Sequence, residues 1–462
     1  MKSKMKLLTI ALSLCSTSVL ADFSSANKDL QNNNFAAAAK EFTALAQRGH
    51  SKAQFELAQL YEKGLGVEKD ITTAYAWYLL AVDFKHPEAK EKYRNLRRSI
   101  PSRKEGKQAY LALKNKYGSQ KHKSLYEPDL KRTNFYPARA KLIEKVEPQY
   151  PSDLAALNSA WVSISYNVDE SGHVEDARVL ASFPKGALDE YALAAVKQWQ
   201  YEPQVKRNGE PDRAHDLITT FKTKSQSSKN HKQYKKQLAQ YTDKLKALAI
   251  KGNSYAQARY ALMLEQEVIE STKGEHINWY YKAAVNGNYD AQLRLVHCFE
   301  NGEGCQPSED KAFAWLIKAS ETQNARAQFQ LATTYLNYES VHYNVKKAAE
   351  LLKLATLHEY FPAMVEYSRL LAFSDEAGIR DVSSAIKYAE LARSLDATNP
   401  TLLSVLGAAY TEMGRVQQGD TLLRQAYDEA KNRNWPTKNY LDLIEGGEAA
   451  MMASGASLRL NN

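Results

Sequence analysis

The sequence predicts a mostly α protein in which solenoids of helix–turn–helix repeats flank a small α+β domain. Three observations carry this expectation. A short phrase recurs as Ala53-Gln54-Phe55-Glu56-Leu57, Ala256-Gln257-Ala258-Arg259-Tyr260, Ala291-Gln292-Leu293-Arg294-Leu295 and Ala327-Gln328-Phe329-Gln330-Leu331, with a weaker copy at Ala363-Met364-Val365. From Ala256 onward the steps are 35, 36 and 36 residues, the length of one helix–turn–helix unit. At Trp161 the apolar period switches to two, as it does in strands. The chain of 462 residues also exceeds what one hydrophobic core serves, so several units are expected.

In chain order, residues 1–21 read as a signal peptide: Lys2, Lys4 and Lys6, an apolar run from Leu7 to Leu20, and Val19-Leu20-Ala21 before Asp22. The run of about 15 residues is shorter than the roughly 20 of a spanning helix. Leu14 before Cys15 argues against a lipoprotein signal, which has a small residue there. The leader is therefore expected to be cleaved, leaving a periplasmic chain, with retention as an anchor the alternative. The remaining boundaries are repeats over 22–119, a linker over 120–136, the α+β domain over 137–222, a linker over 223–235, a second array over 236–446 and a flexible tail over 447–462. Both linkers lack apolar periodicity, so the three units are expected to move relative to one another.

Within a repeat, small and large residues alternate at helical spacing. The best copy runs Ala53, Leu57, Leu60, Tyr61, Gly64-Leu65-Gly66-Val67, Asp70, Ala74, Trp77, Ala81. Gly64 can end the first helix in a left-handed C-cap, and Asp70 can cap the second. The alanines let helices approach while Leu, Tyr and Trp fill the space between units. Gly302-Glu303-Gly304-Cys305, Asp310, Ala312, Trp315 and Ala319 form a second good copy. The pattern resembles the Sel1-like repeat family, relatives of tetratricopeptide repeats, and Leu403-x-x-Leu406-Gly407-x-x-Tyr410 resembles an ordinary tetratricopeptide repeat. Superposing the two best copies puts Cys298 at the place of Leu60 and Cys305 at that of Val67, facing each other across the turn. An oxidising compartment allows a disulfide between them; two buried free thiols are the alternative.

In the central segment, Val162, Ile164, Tyr166 and Val168 fall on one face and Trp161, Ser163, Ser165 and Asn167 on the other, the pattern of a half-buried strand with one polar face. Asp169-Glu170-Ser171-Gly172 supplies a turn, and His173 to Ser182 the returning strand. A helix over about 187–198 aligns Leu188, Tyr191, Ala192, Ala195, Val196 and Trp199 to cover the sheet. Asn208-Gly209 reads as a hairpin turn between Tyr201–Lys206 and Ala214–Phe221. The expected product is a three- or four-stranded antiparallel sheet with one helix packed on it. The opening Pro148-Gln149-Tyr150-Pro151, the Asp–Gly turn, the Leu188-Asp189-Glu190-Tyr191-Ala192-Leu193-Ala194-Ala195-Val196 helix and the Trp199-Gln200-Tyr201-Glu202-Pro203 exit resemble the C-terminal domain of TonB-type energy transducers, over residues 137–222. Asn158 and Ala160 stand where that family usually has glycines, which alters the approach to the first strand. The resemblance implies β-augmentation: a short N-terminal segment of an outer-membrane transporter added to the sheet edge. Its motif positions map to Pro148, Gln149, Tyr150 and Pro151 beside the guest, and to a last strand, Asp216 to Phe221, with Ile218 and Thr220 as edge contacts.

Composition narrows function further. Net charge is +9, about +6 without the leader, with basic runs between Lys114 and Arg132 and between Lys222 and Lys236. These read as solvated linkers or as a weak attraction to cell wall or membrane; nucleic acid is not an expected partner of an exported chain. No nucleophile elbow, His-Glu-x-x-His, phosphate loop or Cys-x-x-Cys occurs, and the ten histidines are scattered, so no catalytic residue, metal or cofactor is expected. The N-terminal run contains no His and no proline-rich span follows it, so an ability to transmit force alone is not expected. Two functions remain. One is a non-enzymatic adaptor of TonB-linked transport, binding a transporter or envelope protein and acting with a separate anchored transducer. The other is a repeat scaffold for envelope assembly or signalling.

Overall fold

A computed structural model describes residues 23–130, 141–151, 159–169, 171–205, 211–223, 228–272, 274–337, 340–433, 435 and 437–453. The expected leader and the Asn208-Gly209 turn lie outside the described residues. The first array consists of α1 (Phe23–Gln31), α2 (Phe35–Gln47), α3 (Ser51–Lys63), α4 (Ile71–Asp83), α5 (Ala89–Leu96), α6 (Arg103–Tyr117) and α7 (Ser119–Tyr126). The central part holds β1 (Leu142–Glu144), β2 (Ala160–Val168), β3 (Val174–Phe183), α8 (Asp189–Val196), β4 (Gln200–Tyr201), β5 (Gln204–Val205), β6 (Pro211–Asp212) and β7 (Ala214–Thr223). The second array begins with α9 (Ser228–Ile250), α10 (Ser254–Glu265), α11 (Glu275–Val285), α12 (Tyr289–Asn301), α13 (Glu309–Ser320) and α14 (Ala325–Leu336). It continues with α15 (Val345–Thr356), α16 (Phe361–Phe373), α17 (Val382–Arg393), α18 (Pro400–Glu412), α19 (Val416–Asn432) and α20 (Lys438–Ala453). The protein is thus mostly α, with a small α+β part.

The recurring Ala-Gln phrase has a double physical use. The side chains of Asn253, Asn288 and Asn324 cap α10, α12 and α14 by accepting the amide protons of Ala256, Ala291 and Ala327, and His50 does the same for Ala53. The following glutamines, Gln54, Gln257 and Gln292, are buried and donate from Nε2 to the carbonyls of Ala46, Ala249 and Ala284 at 3.1, 2.9 and 3.0 Å. Each bond ties a repeat to the last turn of the helix before it and satisfies a carbonyl the helix end would leave open. Gly64 and Gly302 end α3 and α12 in the left-handed conformation, as the spacing predicts. Gly66 serves a close approach as well, since a Cβ there would sit 2.2 Å from the Phe35 carbonyl carbon.

The sheet order is β3-β2-β7, all antiparallel, with β1 and β4 paired separately. Helix α8 covers one face, where Val162, Ile164, Tyr166 and Val168 meet Leu188, Ala192, Val196, Trp199, Tyr201 and Phe221. Trp199 is buried and its indole donates to the Val146 carbonyl at 2.8 Å.

Four expectations change. The face carrying Trp161, Ser163, Ser165 and Asn167 is not solvated: every residue of β2 is buried, because this face rests on the second array. The hairpin read between Tyr201–Lys206 and Ala214–Phe221 is confined to shorter strands: β5 pairs with β6, Gln204 opposite Asp212 and Val205 opposite Pro211, while β4 pairs with β1 and β7 runs beside β2. Within the basic stretch read as the first linker, α7 forms. His122 there donates from Nε2 to the Arg48 carbonyl at 2.6 Å, and its Nδ1 accepts from the Tyr281 hydroxyl at 3.2 Å. Just beyond, the Tyr126 carbonyl accepts from the Trp315 indole at 2.9 Å and the Asp129 carbonyl from the Gln306 amide at 2.8 Å. These bonds bind the first unit to the second array, against the expected independent motion. Finally, α20 continues past Gly446, where the tail was expected to begin.

Cys298 and Cys305 are both buried, with Cα atoms 5.9 Å apart across the end of α12, within the span a disulfide allows. Thiol titration of denatured, unreduced protein from an oxidising compartment is expected to find essentially no free sulfhydryl; two free thiols would remove this staple.

Candidate functional site

Two surfaces of the sheet bear on function: its outer strand edges and the polar face pressed on the array. The edges come first. β3 and β7 flank β2, and among the described residues no further strand pairs outside either of them. The segment expected beside a guest follows Val146, which Trp199 links to Phe221 of β7. Val146 is held by Trp199, whose ring stands 5.8 Å from that of Phe221 in an edge-on contact. Tyr150 packs edge-on to Tyr191 at 6.0 Å, with its hydroxyl buried, while Gln149 and Pro151 are exposed and Pro148 half-buried. Burial pushes the Tyr150 hydroxyl up to about 12, keeping it protonated as a donor. The segment is thus anchored through Trp199 at Val146 and through Tyr191 at Tyr150. Ile218 and Thr220, however, turn their side chains to the array: Ile218 joins its core and Thr220 hydroxyl donates to Gln266 Oε1 at 2.9 Å. A guest along the outer edge of β7 would meet backbone rather than these two side chains.

The polar face is where sequence reasoning stopped short. Arg326 of α14 rises into it and is 5% exposed. Its Nη1 donates to Asp216 Oδ1 at 2.8 Å and to Ser165 Oγ at 3.4 Å. Its Nη2 donates to Asp176 Oδ2 at 2.5 Å and to the Asp176 carbonyl at 3.1 Å. Gln330 Nε2 donates to the other Asp216 oxygen at 2.9 Å, and the Asp216 amide donates to Asn167 Oδ1 at 3.0 Å. Both aspartates have positive φ, 50° for Asp176 and 53° for Asp216, and both lie where the pairing with β2 shifts register. Bulges re-aim side chains, and these two deliver carboxylates from opposite flanking strands to one guanidinium.

Neighbouring repeats add to this contact. Arg294 of α12 donates to the Asp216 carbonyl at 2.8 Å and pairs with Glu265, which also accepts from the Tyr280 hydroxyl at 2.7 Å. Arg178 of β3 pairs with Asp290 at 2.6 Å, and Lys222 donates to the carbonyls of Gln266 and Glu267 at 2.6 and 3.0 Å. Asn167 reaches the Tyr360 hydroxyl at 3.4 Å. The contacts thus come from α10, α12 and α14 and the residue before α16, the first helices of successive pairs. Arg259 of α10 also reaches the Ser182 carbonyl of β3 at 3.5 Å; the spacing of one repeat between Arg259, Arg294 and Gln330 was legible in the sequence, their meeting with the sheet was not.

Burial alone would raise the Asp216 carboxyl, but the charge of Arg326 and the hydrogen bonds from Arg326 and Gln330 outweigh it and hold it at about 2. Beside it, burial pushes His215 down to about 4, so the ring is neutral where it packs against Phe329.

These features define a helical-repeat protein that carries a small sheet domain clasped by its second array. Comparison with known proteins specifies the parts. Residues 146–222 match the family model for the C-terminal part of the Gram-negative bacterial TonB protein, and residues 51–83, 290–321 and 325–358 match the Sel1 repeat. The chain therefore carries a TonB C-terminal-type domain flanked by Sel1 repeats, both non-catalytic interaction modules. Protein TonB of Yersinia enterocolitica is 29% identical over 81 residues, 17% of this chain and 29% of that protein, so the match spans under a third of the relative. A Sel1 repeat protein from Oxalobacter formigenes aligns at 14% identity and TM-score 0.30, over 81% of this chain and 99% of that one. A protective antigen of uropathogenic Escherichia coli with an SLR fold aligns at 15% and 0.31, over 95% and 88%.

Removing Arg326 leaves the buried Asp216 carboxylate, and the more exposed Asp176 beside it, without their cation. Arg326→Ala is expected to weaken the seating of the sheet by about 3–5 kcal/mol, the scale for breaking a buried pair. Hydrogen exchange in β2 reads this directly, and unchanged protection would show that the pair does not hold the sheet. Acid should act in two stages. A released His215 takes a proton from about pH 6.5 downward, whereas the seated ring waits until about 4, so seating weakens as pH falls through that window. The Asp216 contribution is full above 3.8 and is lost as pH falls toward about 2. β2 protection against pH measures both, and His215→Gln should flatten only the upper stage.

Proposed function

We propose that this protein is a non-enzymatic, periplasmic adaptor of a TonB-linked outer-membrane transport system, exported by a cleaved signal peptide. The likeness of residues 146–222 to TonB suggests a cell-envelope protein with an interaction role linked to that system. Among the described residues no helix is long and apolar enough to cross a membrane. The observation that carries the reading is the position of β7. It is the last strand of the domain and an edge of the sheet, with no strand outside it among the described residues. Gln149 and Pro151 are exposed. A short extended segment of a transporter added there would gain backbone hydrogen bonds to β7 and contacts with Pro148, Gln149, Tyr150 and Pro151. A separate anchored transducer would then supply force. The seating on α10, α12 and α14 gives the domain a rigid mount and leaves the first array and the outer helices for other protein partners.

The second reading, a scaffold for envelope assembly, is favoured by the depth of that seating, which a mobile force-transmitting domain would not need. Cysteine cross-linking in envelopes separates the two. With Gln149→Cys, and a cysteine placed in the N-terminal segment of a TonB-dependent transporter, a disulfide-linked product is expected on the transport reading. Labelling of Gln149→Cys by soluble maleimide with no transporter adduct at any position of that segment would sink it.

A further inference from the structure

The strongest charge asymmetry of the molecule is unrelated to the sheet. Between Lys85 and Lys123 the chain holds thirteen Lys and Arg against three Glu, a net +10 that exceeds the +9 of the whole chain. All thirteen cations are exposed, on or beside α5, α6 and α7. Among the described residues Lys114 has an ion pair, with Asp83 at 4.0 Å, and the other twelve have none. Both α5 and α6 pack on α4, and their registers gather the charges into stripes. On α6, Arg103, Lys107, Leu111 and Lys114 recur at helical spacing; on α5 and just beyond it, Lys90, Arg94 and Arg97 do the same. The basic stripe of α6 contains one apolar member, Leu111, which is 42% exposed on an otherwise charged surface.

The geometry points to a docking surface for an anionic phospholipid bilayer on α5–α7 of the first array. Clustered cations at a membrane surface neutralise headgroup phosphates, and an exposed leucine among them can enter the boundary between headgroups and acyl chains. Nucleic acid fits less well. The nearby aromatic residues Tyr75, Tyr93, Tyr110 and Tyr117 are half-buried and Trp77 is buried, so no exposed ring is offered to a base. The surface is independent of the strand-addition reading, which uses another part of the chain.

Vesicle co-sedimentation of the full chain tests it, with phosphatidylcholine alone and with about one third phosphatidylglycerol, near 0.1 M salt. The neutral vesicles report any insertion of the leader. Selective retention on the anionic vesicles is expected, falling at least about a hundredfold for the combined Arg94→Glu, Arg97→Glu, Arg103→Glu and Lys107→Glu variant, since each such cation adds on the order of fivefold. These positions are exposed, and an unchanged circular dichroism melt confirms the fold. A separate Leu111→Ser variant should lower vesicle binding severalfold and leave heparin binding unchanged. Equal binding to both vesicle types, retention by the fourfold variant, or tighter binding to heparin or duplex DNA than to anionic vesicles would each overturn the proposal.

Discussion

The arrangement of the molecule depends on one buried guanidinium. Arg326 joins a repeat helix to both flanking strands of a sheet by holding Asp216 and Asp176 together. Arg326 and Asp216 are buried and Asp176 is more exposed; burying such charges is costly one by one, and their mutual attraction offsets that cost only when further hydrogen bonds satisfy them. Here Ser165, Gln330, Asn167 and Arg294 supply further hydrogen bonds to Arg326 and Asp216. Such a network adds less to raw stability than to uniqueness: a sheet shifted by one residue would strand a carboxylate, so the register of the domain on the array is specified tightly.

This contact changes what the repeats are for. A solenoid presents a long surface, and partners are commonly sought there. In this chain the first helices from α10 to α14 spend that surface on the protein's own sheet. What faces outward is then the sheet's edge strands, the segment around Gln149, the first array and the outer helices. An interaction module held this way has fewer conformations to lose when it binds, which favours affinity through preorganisation.

Many single elements were legible before any coordinates. The Ala-Gln phrase announced the period because it caps one helix and ties it to the previous one. Gly64 and Gly302 announced the helix ends, and Leu188 to Val196 the helix over the sheet. The buried side of β2 followed from Val162, Ile164, Tyr166 and Val168. The pairing across Asn208-Gly209 is shorter than the sequence suggests, two residues on each side, because turn chemistry marks where a chain reverses but not how far its strands stay together or that β7 lies beside β2. Helix α7 has no sequence signal because its run Ser119-Gln120-Lys121-His122-Lys123-Ser124 gives no apolar stripe; it is secured by His122, Tyr126 and long-range hydrogen bonds.

The sequence by itself determined the local periods: which segments wind into helices, which extend, and which face of each is oily. Only the tertiary structure decided what meets the polar faces. Ser163, Ser165 and Asn167 need hydrogen-bond partners, and water or the side chains of another unit serve equally well in a one-dimensional pattern. The choice falls to residues more than 100 positions away, Arg326 beside Ser165 and Tyr360 beside Asn167, whose reach no local spacing encodes.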